Sequence, residues 1–290
     1  MDGRRRRGAT FWIVSSLLSC RQAQESPQPP PESTEHRSWL GHQYELDRAE
    51  KEGTFNLDPH APTYLALHYS TDPNEDFDPD MDVQAAELQF QISAKTKVWE
   101  DLLYDRMDLW LAYTQQAQWQ VFQASGPLRE IDYEPEAILT TRIDLPAGPL
   151  QWRMLNLGLD HQSNGEEGDL SRSWNRLYFQ FGLERGDFVL LIRPWIVIGD
   201  KENPDIEHFM GRGDLVASWE RNGWNASVLL RNNLERDENR GAFQVLVAAP
   251  TWTEKVRVFA RYFTGYGDSL NDYNHREQTF ALGLMFTDWN

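Results

Sequence analysis

Apolar and polar residues alternate with a period of two through most of the chain beyond residue 62. In one stretch Leu155, Leu157 and Leu159 alternate with Asn156, Gly158 and Asp160. Side chains two apart on a strand share a face, so a stretch of this kind predicts a strand with one apolar face. The pattern predicts twelve strands, at about residues 63–69, 88–95, 107–119, 136–145, 155–163, 175–183, 188–196, 208–220, 224–231, 243–247, 256–262 and 280–286.

Twelve strands closed into a barrel enclose a lumen that is too wide for these aliphatic side chains to fill. The apolar faces are therefore predicted to face lipid, and the inward Arg, Lys, Gln and Tyr side chains to form a polar interior. This pattern is typical of an all-β, twelve-stranded antiparallel transmembrane β-barrel, here over residues 61–290. Twelve tryptophans and ten tyrosines suit the aromatic girdles of such a barrel, although a soluble β-sandwich can also hold many aromatic residues.

The first sixty residues predict export and a leader. Arg4 to Arg7 precede a short apolar run that ends in Leu-Leu-Ser-Cys at Cys20, so residues 1–20 are predicted to be an export signal. Leu-Leu-Ser-Cys also resembles a lipoprotein cleavage site, and lipidation of Cys20 stays open. Residues 21–60 are predicted to be a disordered linker and a poorly ordered periplasmic leader. Cys20 is the only cysteine, which excludes an intrachain disulfide and a thiol-based metal site.

The chain is strongly acidic. Its formal charge is −17, and removal of the predicted signal, with four arginines and one aspartate, lowers the charge to −20. Nucleic-acid binding requires a basic surface, so nucleic acid is not an expected partner. An acidic surface is compatible with divalent cations, although most of these carboxylates are expected to be merely solvated.

Three polar residues interrupt the apolar faces of the fifth and sixth strands at one end. They are His161, Ser163 and Asn175. Unpaired polar groups facing hydrocarbon cost several kcal/mol each, so these three are expected to lie near the interface and to bond one another. A serine is a nucleophile once a base removes its proton, histidine is the usual base near neutral pH, and asparagine can orient its ring. Alternatively, polar residues at strand ends simply meet water.

The sequence around these residues closely resembles outer-membrane phospholipase A. The resemblance rests on Asp160-His161-Gln162-Ser163-Asn164-Gly165 and on the run from Leu170 to Tyr178. It extends from about Phe55 to about Asp288 through further segments: Tyr113-Thr114-Gln115, Pro127-Leu128-Arg129-Glu130, Arg193-Pro194-Trp195, Asn203-Pro204-Asp205-Ile206 and Gly265-Tyr266-Gly267-Asp268-Ser269-Leu270.

The resemblance implies an enzyme of the Gram-negative outer membrane that hydrolyses the sn-1 and sn-2 acyl esters of phospholipids as a calcium-bound homodimer. It implies Ser163 as nucleophile, His161 as base and Asn175 as orienter. The calcium ligands it implies are the Ser171 hydroxyl, the Glu166 carbonyl and the partner subunit's Ser125.

The sequence departs from the family pattern at the metal. Glu166 and Glu167 stand where the family tends to have Arg or small polar residues, and Glu202 replaces an aspartate of a second calcium site attributed to the monomer. Gln115 matches a glutamine that bonds across the dimer interface, but a glutamine at this depth could instead face the lumen.

Two rival hypotheses stay open on the residues alone. The first is a catalytically silent, structural or passive outer-membrane barrel, and the second is a soluble lipid-binding β-protein. The His161, Ser163 and Asn175 set favours the enzyme. Its oxyanion donors are expected among the backbone N–H groups around Asn164 and Gly165.

Overall fold

A computed structural model describes residues 38–48, 56–75, 77–78, 81–105, 107–199 and 203–286. The predicted export signal with Cys20, most of the predicted linker and the candidate ligand Glu202 lie outside these residues. Among the helices that are described, none is both long enough and apolar enough to cross a membrane.

Each long strand pairs antiparallel with the next, and the last pairs with the first long strand, so the sheet closes. The short strand β1 pairs with β3, with Asp58 opposite Lys95, and β2 pairs with the first part of the same strand. β1 and β2 therefore occupy a single strand position in the barrel. The predicted twelve-stranded barrel is thereby confirmed. The strands are β1 (Asp58–Pro59), β2 (Thr63–Ser70), β3 (Ala86–Asp101), β4 (Met107–Trp119), β5 (Leu128–Ala147), β6 (Leu150–Ser163), β7 (Ser173–Arg185), β8 (Phe188–Val197), β9 (Gly213–Arg221), β10 (Trp224–Asn232), β11 (Gly241–Pro250), β12 (Val256–Tyr266) and β13 (Arg276–Phe286).

Several predicted strands were wrong in extent, among them β3, which continues to Asp101, and β6, which begins at Leu150. For two others the reason is clear. The prediction of a strand over 208–220 fails at its start, because Ile206–Met210 forms a short helix (α3) that ends at Gly211. Gly211 has φ 79°, and a Cβ there would lie 2.5 Å from the Asn232 carbonyl oxygen, so the chain turns sharply at a glycine before β9 begins. β5 begins at Leu128 and not near 136, because pairing with β4 continues past Pro135, which lacks an N–H and obscured the pattern.

The outer face carries the apolar residues that the alternation predicted. Leu67, Leu159, Phe179 and Leu282 are each about half exposed, as expected of side chains that would meet lipid. The lumen differs from a purely polar interior, because apolar clusters fill part of it. One cluster comprises Tyr64, Ala66, Leu246, Ala248, Phe259, Ala281 and Met285, and a second comprises Trp174, Tyr178, Trp195, Ile206, Met210, Leu270 and Tyr273.

The two ends of the barrel differ in their connections. At one end the strands are joined by short segments such as 148–149, 186–187 and 222–223. At the other end they are joined by longer loops, including 164–172 and 267–275. Short periplasmic turns and longer extracellular loops are the usual arrangement in outer-membrane barrels.

A helix at the short-turn end corrects the expectation of a poorly ordered leader. Trp39–Arg48 forms α1, and a short helix at Leu102–Asp105 is α2. Leu40 is fully buried against Met154 and Val189, and a Cβ on Gly182 would lie 2.9 Å from the Leu40 side chain. Because Met154 is inward, α1 packs against the inner wall.

Polar contacts fix the C-terminal turn of α1. The buried Asp47 carboxylate accepts a hydrogen bond from Trp110 Nε1 at 2.8 Å and one from Arg142 Nη1 at 3.0 Å. The Asp47 carbonyl accepts from Lys97 Nζ at 2.7 Å. Gln43 accepts from Lys95 Nζ at 2.6 Å. These partners lie on three neighbouring strands, so α1 braces the strands from inside.

Replacing Asp47→Ala should therefore lower the free energy of unfolding by about 1–3 kcal/mol, because it leaves the buried Trp110 Nε1 donor without its acceptor. Arg142 loses one acceptor but keeps the Asp47 carbonyl and Asp108. Asp144→Ala is the control: Asp144 also bonds an arginine, Arg153, but its side chain is 61% exposed, and water screens exposed ion pairs so that they contribute little to stability. Urea titration in detergent, followed by tryptophan fluorescence, measures both. Equal losses for the two variants would contradict the bracing role.

Candidate active site

Strands β6 and β7 bring the three predicted site residues together. His161 lies directly opposite Asn175, and Ser163 lies opposite Ser173. His161 Nδ1 and Asn175 Oδ1 are 2.8 Å apart. Because an amide oxygen only accepts, this bond places the imidazole proton on Nδ1 and leaves Nε2 as the basic nitrogen. Ser163 is two residues beyond His161 and shares its outer face. The pairing gives a base whose tautomer is fixed, on the same face as a hydroxyl.

The inner face of the same two strands holds their register. Arg176 bonds the Asp160 carboxylate opposite it and donates to Glu134 on β5. The Trp174 Nε1 donates to Gln162 Oε1 at 2.8 Å. A shift by one residue would break these buried pairs and move His161 and Asn175 to the lumen. The lumenal contacts therefore hold β6 and β7 in the register that places His161 and Asn175 on the outer face.

A donor lies beside Ser163. The Gly165 N–H points at Ser163 Oγ, with the nitrogen 3.1 Å from the oxygen. The Asn164 N–H, which was also expected as an oxyanion donor, instead donates to the Arg172 carbonyl at 3.0 Å. Gly165 has φ 73°, and a Cβ there would lie 3.2 Å from the ring of Tyr133. Both the backbone conformation and the space favour glycine at this position.

The outer surface next to the site is apolar and open. Tyr133 lies opposite Ser163 and is 37% exposed. Gln115 lies opposite Tyr133 and accepts a hydrogen bond from Tyr113 on the outer surface, so it does not face the lumen. A groove of about 530 Å³ runs beside His161 and Asn175, and its apolar lining comprises Leu111, Pro135, Ala137, Leu159 and Ile198.

The residues predicted to bind calcium are only partly brought together. Glu166 and Ser171 line one open groove in the loop 164–172, with Glu167 and Asp169 beside them. Ser125 lies elsewhere, exposed in the turn between β4 and β5. All of these groups offer oxygen, which is the ligand type that calcium prefers. Within the described ranges no three His, Cys, Asp or Glu side chains lie close enough to hold a metal. The donor set fits calcium in kind, but one chain supplies few ligands.

The sequence reading missed the role of the loop 267–275. Asp272 accepts from Arg129 Nη1 at 2.9 Å, and Leu270 N–H donates to Asp132 at 3.2 Å. Burial opposes ionisation of Asp272, but Arg129 and the hydrogen bonds from Ser269 and Asn74 hold the pKa of that carboxyl below its usual value. Apart from Ser269, these partners are 138 to 198 residues apart in the chain, so their spacing in the sequence gave no signal.

The sequence profile of the family Phospholipase A1 matches residues 40–286. A provisionally named phospholipase A1 of Neisseria meningitidis serogroup B is 38% identical over 269 residues, which cover 84% of this chain and 69% of that protein. The phospholipase A1 of Escherichia coli K12 is 30% identical over 246 residues, which cover 82% of this chain and 84% of the enzyme.

Solved structures agree with the sequence match. The outer membrane phospholipase A of Escherichia coli superposes with a TM-score of 0.79 at 30% identity, covering 84% of this chain and 97% of that one. A variant of it, in which an active-site asparagine is replaced by alanine, gives the same TM-score at 29% identity and the same coverage. The calcium-bound dimer of the Salmonella typhi enzyme superposes with a TM-score of 0.77 at 30% identity, covering 82% and 95%.

Gly165→Ala should lower the rate at which a serine-directed sulfonyl fluoride labels Ser163, by about tenfold or more, since the left-handed conformation disfavours alanine and the N–H would move. Gly148→Ala is the control, because Gly148 has φ 64° but nothing within 4 Å of its would-be Cβ. Mass spectrometry of the labelled peptide measures both rates. Unchanged labelling in Gly165→Ala would exclude a role for this N–H.

Proposed function

This chain belongs to the Phospholipase A1 family of outer-membrane enzymes, and on that premise we propose that Ser163, His161 and Asn175 hydrolyse acyl esters of phospholipids. The chain is a phospholipase and a β-barrel of the outer membrane. The observation that carries the proposal for the triad is the His161–Asn175 hydrogen bond beside Ser163 on the outer, apolar face.

The chemistry assigns one role to each residue. His161 Nε2 removes the Ser163 hydroxyl proton as Oγ attacks the ester carbonyl, while Asn175 holds the ring through Nδ1. The oxyanion forms near the Gly165 N–H. When the tetrahedral intermediate collapses, the ester C–O bond breaks and the leaving lysophospholipid oxygen takes the proton from His161. Water, deprotonated by the same nitrogen, then attacks the acyl-enzyme carbonyl. The bond between the acyl carbon and Ser163 Oγ breaks, Oγ takes the proton back from His161, and a fatty acid leaves.

The asparagine role has independent support. In the Escherichia coli enzyme an asparagine belongs to the active site. Here Asn175 is the asparagine that bonds the histidine. Because the asparagine amide is uncharged, it orients the imidazole without placing a carboxylate charge near lipid, where burying a charge is costly.

The substrate follows from where the serine lies. Ser163 and His161 lie on the lipid-facing wall near the long-loop end, which in such barrels is the outer side. The apolar groove beside His161 suits an acyl chain. Because the wall is open, the serine can meet either ester of a glycerophospholipid, and we propose hydrolysis at both sn-1 and sn-2.

Calcium and a second subunit are proposed to complete the site. The Ser171 hydroxyl and the Glu166 carbonyl would contribute from one chain, and the partner subunit's Ser125 from the other. Glu202 remains a proposed ligand of a second site. When bound, calcium supplies positive charge for the developing oxyanion. The Salmonella typhi enzyme, which binds calcium as a dimer, supports this proposal. Gln115 and Tyr133, on the outer wall between the Ser125 turn and Ser163, fit the face where two barrels would meet.

The alternative function, a catalytically silent structural barrel, predicts that Ser163 is dispensable. By contrast, we expect Ser163→Ala to lower phospholipid hydrolysis by at least about 10³-fold, because no other group replaces the nucleophile. The barrel should stay folded, since Ser163 is a partly exposed residue at a strand end. Heat-modifiable gel mobility checks folding, and hydrolysis of a phospholipid in mixed micelles checks activity. Near wild-type hydrolysis in a pure preparation would rule out Ser163.

Calcium dependence is tested at Ser125. This residue has φ 74°, so Ser125→Gly removes the hydroxyl without strain, whereas alanine would add strain. We expect the calcium concentration for half-maximal dimerisation to rise about tenfold, equivalent to about 1.4 kcal/mol. Thr71→Ala, which removes an exposed hydroxyl from another loop, is the control. Sedimentation in detergent with parallel assays measures both, and full activity of a chelated monomer would refute the shared site.

A further inference from the structure

Asn164, the residue that follows Ser163, makes an unusual set of contacts for a loop residue. Its side chain is buried, and each of its polar atoms has two partners. Oδ1 accepts from the Glu166 N–H at 3.2 Å and from the Arg172 N–H at 2.9 Å. Nδ2 donates to the Leu170 carbonyl at 2.8 Å. The side chain therefore ties together the start and the end of the loop 164–172.

The fourth partner lies in a different loop. Asn164 Nδ2 also donates to Asn271 Oδ1 at 2.8 Å. Asn271 is 1% exposed, and its own N–H donates to Glu130 Oε1 at 2.6 Å. Asp272, the next residue, pairs with Arg129. The loop 164–172 is thus connected through Asn271 to the buried charges of the lumen.

We propose that Asn164 and Asn271 are positioning residues for Ser163: together they hold the loop 164–172 in the shape that presents the Gly165 N–H to the reacting oxygen. The inference rests on the proposed function. Gly165 lies between Asn164 and Glu166, and both of these neighbours are fixed by the Asn164 side chain. The same bonds place Glu166 and Ser171, the proposed calcium ligands, on opposite limbs of one closed loop.

The chain contains a second asparagine with nearly the same contacts, which provides a matched control. Asn233 Oδ1 accepts from the Glu235 and Arg240 N–H groups, each at 3.1 Å, and its Nδ2 donates to the Glu238 carbonyl at 2.9 Å. Like Asn164, Asn233 also donates its backbone N–H to the far limb of its loop. It is 2% exposed.

The two asparagines differ in the fourth contact and in location. Asn233 Nδ2 donates to the His208 carbonyl, whereas Asn164 reaches the side chain of Asn271. The loop 233–240 carries none of the proposed catalytic or metal-binding groups. If such an asparagine only closes a loop, its removal should have the same consequences in either loop. If Asn164 positions the site, only its removal should change the chemistry.

The experiment compares Asn164→Ala, Asn271→Ala and Asn233→Ala in detergent-folded, full-length protein. Three quantities are measured: kcat and KM for a micellar phospholipid with calcium, the rate of Ser163 labelling by a sulfonyl fluoride, and hydrogen exchange of peptides covering 164–172 and 233–240 without calcium. Asn271→Ala keeps both hydrogen bonds that Asn164 Oδ1 accepts within the loop 164–172. It therefore provides an informative variant if Asn164→Ala does not fold.

We expect Asn164→Ala and Asn271→Ala to lower kcat and the labelling rate by on the order of 10- to 100-fold with KM within about twofold, since misplacement by about 1 Å can cost 10²-fold. Exchange should rise in 164–172. Asn233→Ala should lower the apparent Tm as much as Asn164→Ala and raise exchange in 233–240, with kcat within about twofold of wild type.

The opposite results overturn the inference. If Asn164→Ala and Asn271→Ala keep kcat and labelling within about twofold of Asn233→Ala, then both asparagines serve only loop folding. Failure of the proposed function gives a different result, in which wild-type protein is not labelled at Ser163 and Ser163→Ala still hydrolyses lipid. Unchanged kcat and labelling in the asparagine variants would be compatible with the proposed triad, whereas hydrolysis by Ser163→Ala would contradict it.

Discussion

Every backbone N–H and C=O in the barrel wall must be paired, because hydrocarbon offers no hydrogen-bonding partner. Closure between β13 and β2 satisfies this requirement for the sheet. Strict pairing also fixes which side chains face out. A catalytic group on the lipid face can then occur only at alternate positions, and it is tolerated only near a strand end where polar neighbours are available. His161 and Ser163, two apart and opposite Asn175 and Ser173, meet both conditions.

Because side chains alternate strictly between the two faces, contacts on the inner face also fix which residues face lipid. Asp160 precedes His161 in β6, and Arg176 follows Asn175 in β7. Their side chains form a buried ion pair on the lumenal face. A buried ion pair is weak evidence for stability, but breaking it by removing one partner leaves an unpaired charge, which is strongly destabilising. The pair therefore disfavours a slipped register more than it adds stability. At the other end of the barrel, Asp47 of α1 makes comparable contacts to Trp110 and Arg142.

Sequence reasoning succeeded where the physics is local. Alternation with a period of two identified the barrel strands, and the interruptions at His161, Ser163 and Asn175 marked a group that the structure brings to one place. It failed where contacts join distant segments. Nothing near Leu40 shows that it will pack on Gly182, and nothing near Asn164 shows that Asn271 will accept its hydrogen bond. The short helix before β9 was missed because His208 and Phe209 continue an alternating pattern while the backbone is helical.

The shape of the wall also bears on the proposed metal. A barrel surface is convex, so groups on one chain approach an ion from one side only. Calcium takes about 6–8 oxygen ligands, and the loop 164–172 supplies exposed oxygens without enclosing a cavity. A second convex wall brought against the first would create the missing half of the shell and would cover the apolar groove beside His161. Under the proposed function, a requirement for two subunits thus follows from geometry. A triad on an open, lipid-facing wall gains both the calcium ion and a covered acyl-chain site in one association step. Metal, substrate and dimer then stabilise one another reciprocally.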